Sequence, residues 1–386
     1  MSTSLSDQPW KVPLADVTLR PELSDAVAAV VASGWWSMGP KVAEFEGAFG
    51  EALAARHALA VANGTAALHL ALLALDCGPG DEVILPSLTF VAAANMIRRV
   101  GATPVFCDIV GEGDLNLDPE DVDRAVSPAT KAVLVLHYGG FACDMASVLE
   151  IARTNGLRII EDSAHAPGSR WNGRSCGTIG DIGCFSFFSN KNLAIGEGGM
   201  VTTDDDELAE RLRLLRSHGM TTLTWDRHRG HASTYDVVLP GLNYRLDEIR
   251  AAMGLVQLRF LSEENTARAR LARLYGEALD GVNGYAMAFS DRLGDPSSAH
   301  HLAVALVPDA ASRDRIRAGL VERRIQTSVH YPPIHGFSAY RDLEPSRSLP
   351  RTDDAAARLL TLPLFARMTD EQLGLVVDAL LDLQAG

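Results

Sequence analysis

The chain has 386 residues, 47% hydrophobic and 22% charged, enough to bury a large core and to form two domains or one large domain with a smaller companion. A formal net charge of -14 argues against nucleic acid as a partner, because binding a phosphate backbone needs a positive footprint; a local pocket for one phosphorylated small molecule stays open. The opening MSTSLSDQPWKVPLADVTL has no basic start and no unbroken apolar stretch, and no later run reaches the length of a membrane span, so a cytoplasmic enzyme without a membrane partner is expected. The five cysteines are scattered with no CxxC pair and read as reduced structural thiols.

From about residue 63 onward, helix-like and strand-like segments alternate. A short strand enters Asn63-Gly64-Thr65, and TAALHLALLAL follows directly as a buried helix. Backbone N–H groups and the Thr65 hydroxyl at that helix start make either a phosphate cradle or a plain N-cap. VILPSLTF reads as a strand, VAAANMIRRVG as a helix closed by Gly101, and TPVFCDI, KAVLVLHYGG and LRIIEDSAH as further strands, with DMASVLEIARTNG a helix before the last. Such alternation predicts a mainly parallel sheet covered by helices on both faces, with ligands outside the carboxyl ends of the strands.

At that edge LRIIEDSAHAPGS is expected to present Glu161, Asp162 and His165. Asp162 either holds a ring nitrogen protonated or caps the next loop. In FSFFSNKNLAIGEGGM, an aromatic run leads into Lys191 and then a glycine cluster. Lys191 is either a solvated turn lysine or a desolvated amine able to form a Schiff base with an aldehyde cofactor, the glycines then giving the backbone room beside a ligand. A P-loop is excluded, since its glycines precede the lysine and Ser or Thr follows, whereas Asn192 stands here. Helix-start cradle, strand-end aspartate and lysine, in that order, are the parts of a pyridoxal phosphate site.

After about residue 246 the pattern changes to one long helix, DEIRAAMGLVQLRFLSEENTARARLARLYGEAL, then a mixed region and an amphipathic C-terminal helix. The predicted division is a large domain over 1–250, including the N-terminal segment, and a small domain over 251–386. Between Lys191 and Asn243 lies TTLTWDRHRGHASTYDVV, a solvated loop or a basic, aromatic loop that meets a nucleotide diphosphate. His330 and His335 in HYPPIH are separated by two prolines that spoil helical pairing, so no metal is expected there.

Several segments together resemble the pyridoxal-phosphate (PLP)-dependent nucleotide-sugar aminotransferases of the DegT/DnrJ type: SGWWSMGPKVAEFE, NGTAALHLAL, GDEVILPSLTFVAAANM, IIEDSAHAPGS, GDIGCFSFFSNKNLAIGEGGMVTTDD, GLNYRLDEIRAAMGLVQL, SVHYPPIHGFSAY and LPLFARMTDEQ. The resemblance runs through nearly the whole chain. It implies an α/β fold of PLP fold type I, a mainly parallel seven-stranded sheet covered by helices plus a smaller C-terminal α+β domain. By resemblance, Gly64, Thr65 and Ser186 hold the phosphate, Phe90 stacks on the pyridine ring, Asp162 pairs with the ring nitrogen and His165 lies near the ring hydroxyl. Lys191 bonds the aldehyde carbon, and Asn243 reaches the phosphate of a neighbouring subunit, implying a homodimer. Trp36, Met38, Arg229, His330 and His335 are candidate substrate contacts.

The activity implied is transfer of an amino group from L-glutamate to a nucleotide-linked keto-sugar. His165, where many relatives have Gln, points to a dTDP-4-keto-6-deoxyhexose aminated at C4, with C3 amination as the alternative. A dehydratase of this family would carry His in place of Lys191, and a non-catalytic regulator would not need the Asp162/Lys191 pair.

Overall fold

The computed structural model describes residues 9–222, 234–343 and 348–385. Seven strands form the main sheet: β1 (His57–Val61), β2 (Glu82–Pro86), β3 (Thr103–Cys107), β6 (Thr130–Leu136), β7 (Arg158–Asp162), β10 (Ile182–Ser186) and β11 (Gly199–Thr203). Two short ribbons, β4 (Ile109–Gly111) with β5 (Asp114–Leu117) and β8 (Arg170–Trp171) with β9 (Arg174–Ser175), lie outside it. The strand order is β1-β11-β10-β7-β6-β2-β3. β11 runs antiparallel to both its neighbours, and the pairs from β10 across to β3 are parallel.

Successive strand residues point to opposite faces, and both faces are buried. Val83, Leu85, Ala132, Leu134, Ile160 and Cys184 enter one core with the helix Gly64–Ala74. Their neighbours Ile84, Val133, Val135 and Ile159 enter a second core with the helix Met145–Asn155. This double burial explains why the strands read as continuous apolar runs rather than alternating ones.

A three-stranded antiparallel sheet, β12 (Ala286–Met287), β13 (Ala303–Leu306) and β14 (Leu359–Leu362), packs with the helices Ala310–Glu322 and Asp370–Ala385 in a separate core. The helix Glu248–Leu279 serves both parts: Ala251 and Leu261 pack beside Phe45 and Phe185, whereas Leu271, Tyr275 and Leu279 pack in the core of the small sheet. The expected division at 250/251 therefore falls inside a continuous helix. Val12, on the N-terminal side of that division, belongs to the small-sheet core and bridges to Ile325.

Candidate active site

Strand β1 ends at Val61, and the helix Gly64–Ala74 begins three residues later. Asn63 caps it, its Oδ1 accepting the Ala66 N–H at 2.8 Å, so the cap is this asparagine and Thr65 is left lining the cavity. N–H groups of a first helical turn lack intrahelical acceptors and sit at the positive end of the helix, a setting that favours an anion. Gly64 lets the end of β10 come close, since a Cβ there would meet Ser186 Cβ at 2.8 Å.

Ser186 pairs with Gly199 across β10 and β11, so residues 187–198 form a loop closed at its base, and Lys191 stands within it. Two of the glycines after Lys191 serve close packing within the protein. A Cβ on Gly199 would lie 2.7 Å from the Asn63 carbonyl and from Phe185 O, and one on Gly198 would lie 2.5 Å from Ile195 Cδ1. They allow the protein to pack on itself, drawing the Asn63 turn, Ser186 and the lysine loop together.

Strand period also separates two adjacent carboxylates. Asp162 shares its face with Ile160 and lines the cavity; Glu161 points to the opposite face, a correction to the expectation that both reach the ligand edge. Glu161 is fully buried, and its carboxylate accepts N–H bonds from Gly177, Ile179 and Gly180 at 2.6–2.8 Å and one from His137 Nε2 at 2.9 Å. Burial alone would raise its pKa, but these donors hold it below the ordinary carboxylate value. Asp162, with Ala164 N–H on its Oδ1 at 3.1 Å, is pushed upward by burial, against the pull of that bond and of Lys191.

Lys191 is drawn down to about 8 by burial, with Asp162 pulling the other way. Three histidines surround it. His165 Nδ1 accepts the Gly139 N–H at 3.2 Å, so Nε2 carries the proton and donates to Tyr331 Oη at 2.8 Å. Burial, then Lys191, keeps His165 well below the usual histidine range. His330 is pushed down to about 4 by burial and Lys191, and it bonds Thr361 Oγ1 at 3.0 Å. His301 places Nε2 3.4 Å from Lys191 Nζ.

The structure brings Gly64, Thr65, Phe90, Asp162, His165, Ser186, Lys191 and His330 around one cavity of about 390 Å³, within the range of small-molecule sites. Phe90 is 57% exposed at its wall, which rules out the alternative of ordinary core packing. Other candidates lie elsewhere. His335 bonds Ser87 Oγ at 2.7 Å and Asp353 at 3.0 Å and does not line the cavity, a structural histidine tying two segments together. Met38 is buried beside Phe45, and Trp36 is exposed with its indole N–H on Val31 O. Asn243 is exposed and bridges to Ser217 outside this chain's own cavity. Arg229 lies outside the described residues, as do Trp225, Arg227, His228 and His231. Sequence reasoning missed Tyr331, Thr89 and His301; Tyr331 and Thr89 stand beside singled-out residues, whereas nothing in SAHHLAVALV marks His301.

The model of the DegT/DnrJ/EryC1/StrS aminotransferase family matches residues 17–381. The chain is 40% identical over 385 residues to the spore coat polysaccharide biosynthesis protein SpsC of Bacillus subtilis (strain 168), covering 98% of this chain and 97% of that protein. Among solved structures, S. venezuelae DesV superimposes with a TM-score of 0.89 at 36% identity, covering 98% of this chain and all of that one. The PLP form of the sugar aminotransferase Spr1654 of Streptococcus pneumoniae gives 0.89 at 26% identity, covering 98% and 99%. Fold and site thus define a fold type I PLP-dependent transferase. The chain belongs to the DegT/DnrJ/EryC1/StrS family and is a PLP-dependent sugar aminotransferase.

The residues present fit PLP. The helix start and Ser186 would offer donors to a phosphate, the Asp162 carboxylate faces the cavity, and Lys191 presents a buried amine of the kind that an aldehyde needs. The Thr89 hydroxyl, on a residue 1% exposed that lines the cavity, has no hydrogen-bond partner among the described residues. A buried hydroxyl left unpaired calls for a polar ligand.

Proposed function

We propose that the enzyme moves an amino group from L-glutamate to C4 of a dTDP-linked 4-keto-6-deoxyhexose. The observation that carries this reading is the charge of the cavity wall: among the described lining residues Lys191 is the sole cationic side chain, and no arginine is present. Carboxylates and phosphates favour a guanidinium fork, so this wall matches the uncharged ring of a sugar, and the carboxylates of glutamate and the diphosphate draw on cations outside it. The hydroxylated keto-sugar ring is uncharged and suits the neutral His165, His330 and Tyr331 found here.

PLP, when bound, supplies an electron sink for the carbanion formed on the donor's α-carbon. Asp162, whose carboxylate faces the cavity, would pair with the ring nitrogen and favour its protonated form. Lys191, a buried amine neutral in a useful fraction of molecules near pH 8, would hold the cofactor's aldehyde and, when free, would be the base that moves a proton between donor and cofactor. His165, fixed as a neutral Nε2–H tautomer, holds Tyr331 at the cavity wall, where His165 would lie near the ring hydroxyl. Exposed Phe90 and Phe188 on the cavity wall, with exposed Trp36 and Asn243, support a homodimer in which Asn243 reaches the partner's phosphate.

Purified enzyme with PLP is expected to be yellow and to bleach on addition of L-glutamate. Incubated with dTDP-4-keto and dTDP-3-keto-6-deoxyhexoses, it is expected to yield a 4-amino sugar by NMR. A product aminated at C3 alone overturns the C4 assignment, and failure to bleach removes glutamate as donor.

A further inference from the structure

A chain of amides leads from the protein interior to the lysine. Asn265 Nδ2 donates to Pro167 O at 3.0 Å, and Asn192 Nδ2 donates to Ala299 O at 2.7 Å and to Asn265 Oδ1 at 2.8 Å. Backbone carbonyls only accept, so both amides are fixed in orientation. Asn192 Oδ1 must then face His301 Nδ1, which it does at 2.9 Å, and an oxygen there requires the imidazole proton on Nδ1. The lone pair of His301 is left on Nε2, 3.4 Å from Lys191 Nζ. Asn192 and His301 are both buried, at 6% and 5% exposure, so the arrangement is shielded from water that could substitute for it.

We propose that His301, held in one tautomer by Asn192, is a positioning residue that accepts an N–H of Lys191 and turns the lysine's lone pair toward the cavity. A neutral amine has two N–H groups and one lone pair. With one N–H committed to His301, the lone pair is directed elsewhere. The opposite tautomer would donate into that lone pair and compete with the aldehyde for it.

The charges around the pair hold His301 as an acceptor. Burial, Lys191, His165, Arg268 and His330 all push its pKa down, well below the usual histidine range, while Asp162 faces Lys191 and favours its ammonium form. The shared proton therefore stays on the lysine. His301 does not store it; it sets where the amine points.

The inference rests on Lys191 being the amine that bonds the cofactor, and its test stands apart from that reading. In full-length enzyme stripped of cofactor, with pyridoxamine-phosphate-loaded enzyme in parallel, long-range 1H–15N correlation of labelled histidines reports tautomers directly. His301, assigned by its loss in His301→Phe or His301→Gln, is expected as neutral Nδ1–H from pH 6 to 9. An Nε2–H tautomer or an imidazolium in that range overturns the proposal, and either of the two variants, provided it folds, suffices for the assignment. Competitive acetylation then titrates Lys191, expected near 8 in the unaltered enzyme. In folded His301→Phe the midpoint is expected to fall by about one pH unit, the size set by losing one acceptor to a buried ammonium, and His301→Gln to recover part of that fall. An unchanged midpoint in His301→Phe overturns it. If Lys191→Ala still gives the yellow lysine-bound form, the reading of Lys191 fails, and the tautomer measurement is unaffected.

Discussion

The depressed pKa of Lys191 makes a quantitative prediction about cofactor loading. An ordinary lysine titrating at 10.5 has about one amine in three thousand neutral at pH 7; at about 8, close to one in ten is neutral. The gain in nucleophile is therefore roughly three-hundredfold. Burial supplies it and Asp162 opposes it, so the site is a compromise: enough desolvation to free the amine, with an anion retained for the ring nitrogen. Stopped-flow absorbance of PLP binding to cofactor-free enzyme, taken from pH 6 to 10, is expected to show a loading rate that rises tenfold per pH unit and levels near pH 8. Asp162→Asn removes the opposing charge and is expected to move the plateau to lower pH. A rate still climbing at pH 10 in the unaltered enzyme refutes the argument, since it would mean that the amine is solvated.

Two further predictions concern the frame. Gly64→Ala places a methyl 2.8 Å from Ser186 Cβ, so the helix start and the end of β10 must separate; PLP affinity measured by titration is expected to fall at least about tenfold with little change in secondary structure. Glu161→Gln turns amide N–H groups toward backbone N–H groups that now meet a carboxylate, and is expected to cost about 3 kcal/mol in denaturant unfolding. The sign for pH follows from the lowered pKa of Glu161: its stabilisation is complete above the ordinary glutamate value and is lost as pH falls through the lower folded value. The acid limb of the stability curve should therefore shrink in Glu161→Gln; an unaltered limb would show that the carboxylate carries no such linkage.

The parts of the site legible in the sequence were those marked by local pattern. Asp162 ends a strand and Gly64 starts a helix, and both could be placed by counting from an apolar run, whereas Ser186, at the end of β10, was picked out by the family resemblance. The strand period also held the answer for Glu161, whose neighbour Ile159 faces the second core; treating the two carboxylates as one feature hid it. His301 was not legible because its meaning depends on a partner 110 residues away, reached from the start of the small sheet's β13. His335 misled for the converse reason: it shares a short motif with His330, but Ser87, 248 residues away, and Asp353 hold it outside the cavity.

The loop that carries Lys191 has both ends on one rung of the sheet, Ser186 opposite Gly199, whereas His330 and Tyr331 come to the cavity from a segment that bridges to β14 through Ser328. The two sides of the site thus have different backbone anchors, joined by the Asn192 side chain, which bonds Ala299 O and His301 just before β13, the strand paired with β14. An insertion or deletion between Ser186 and Gly199 would displace the reacting amine, but the wall at residues 330–331 can be redrawn without disturbing that rung. Substitutions at 330–331 therefore reshape the wall while the rung that anchors the lysine loop stays in place.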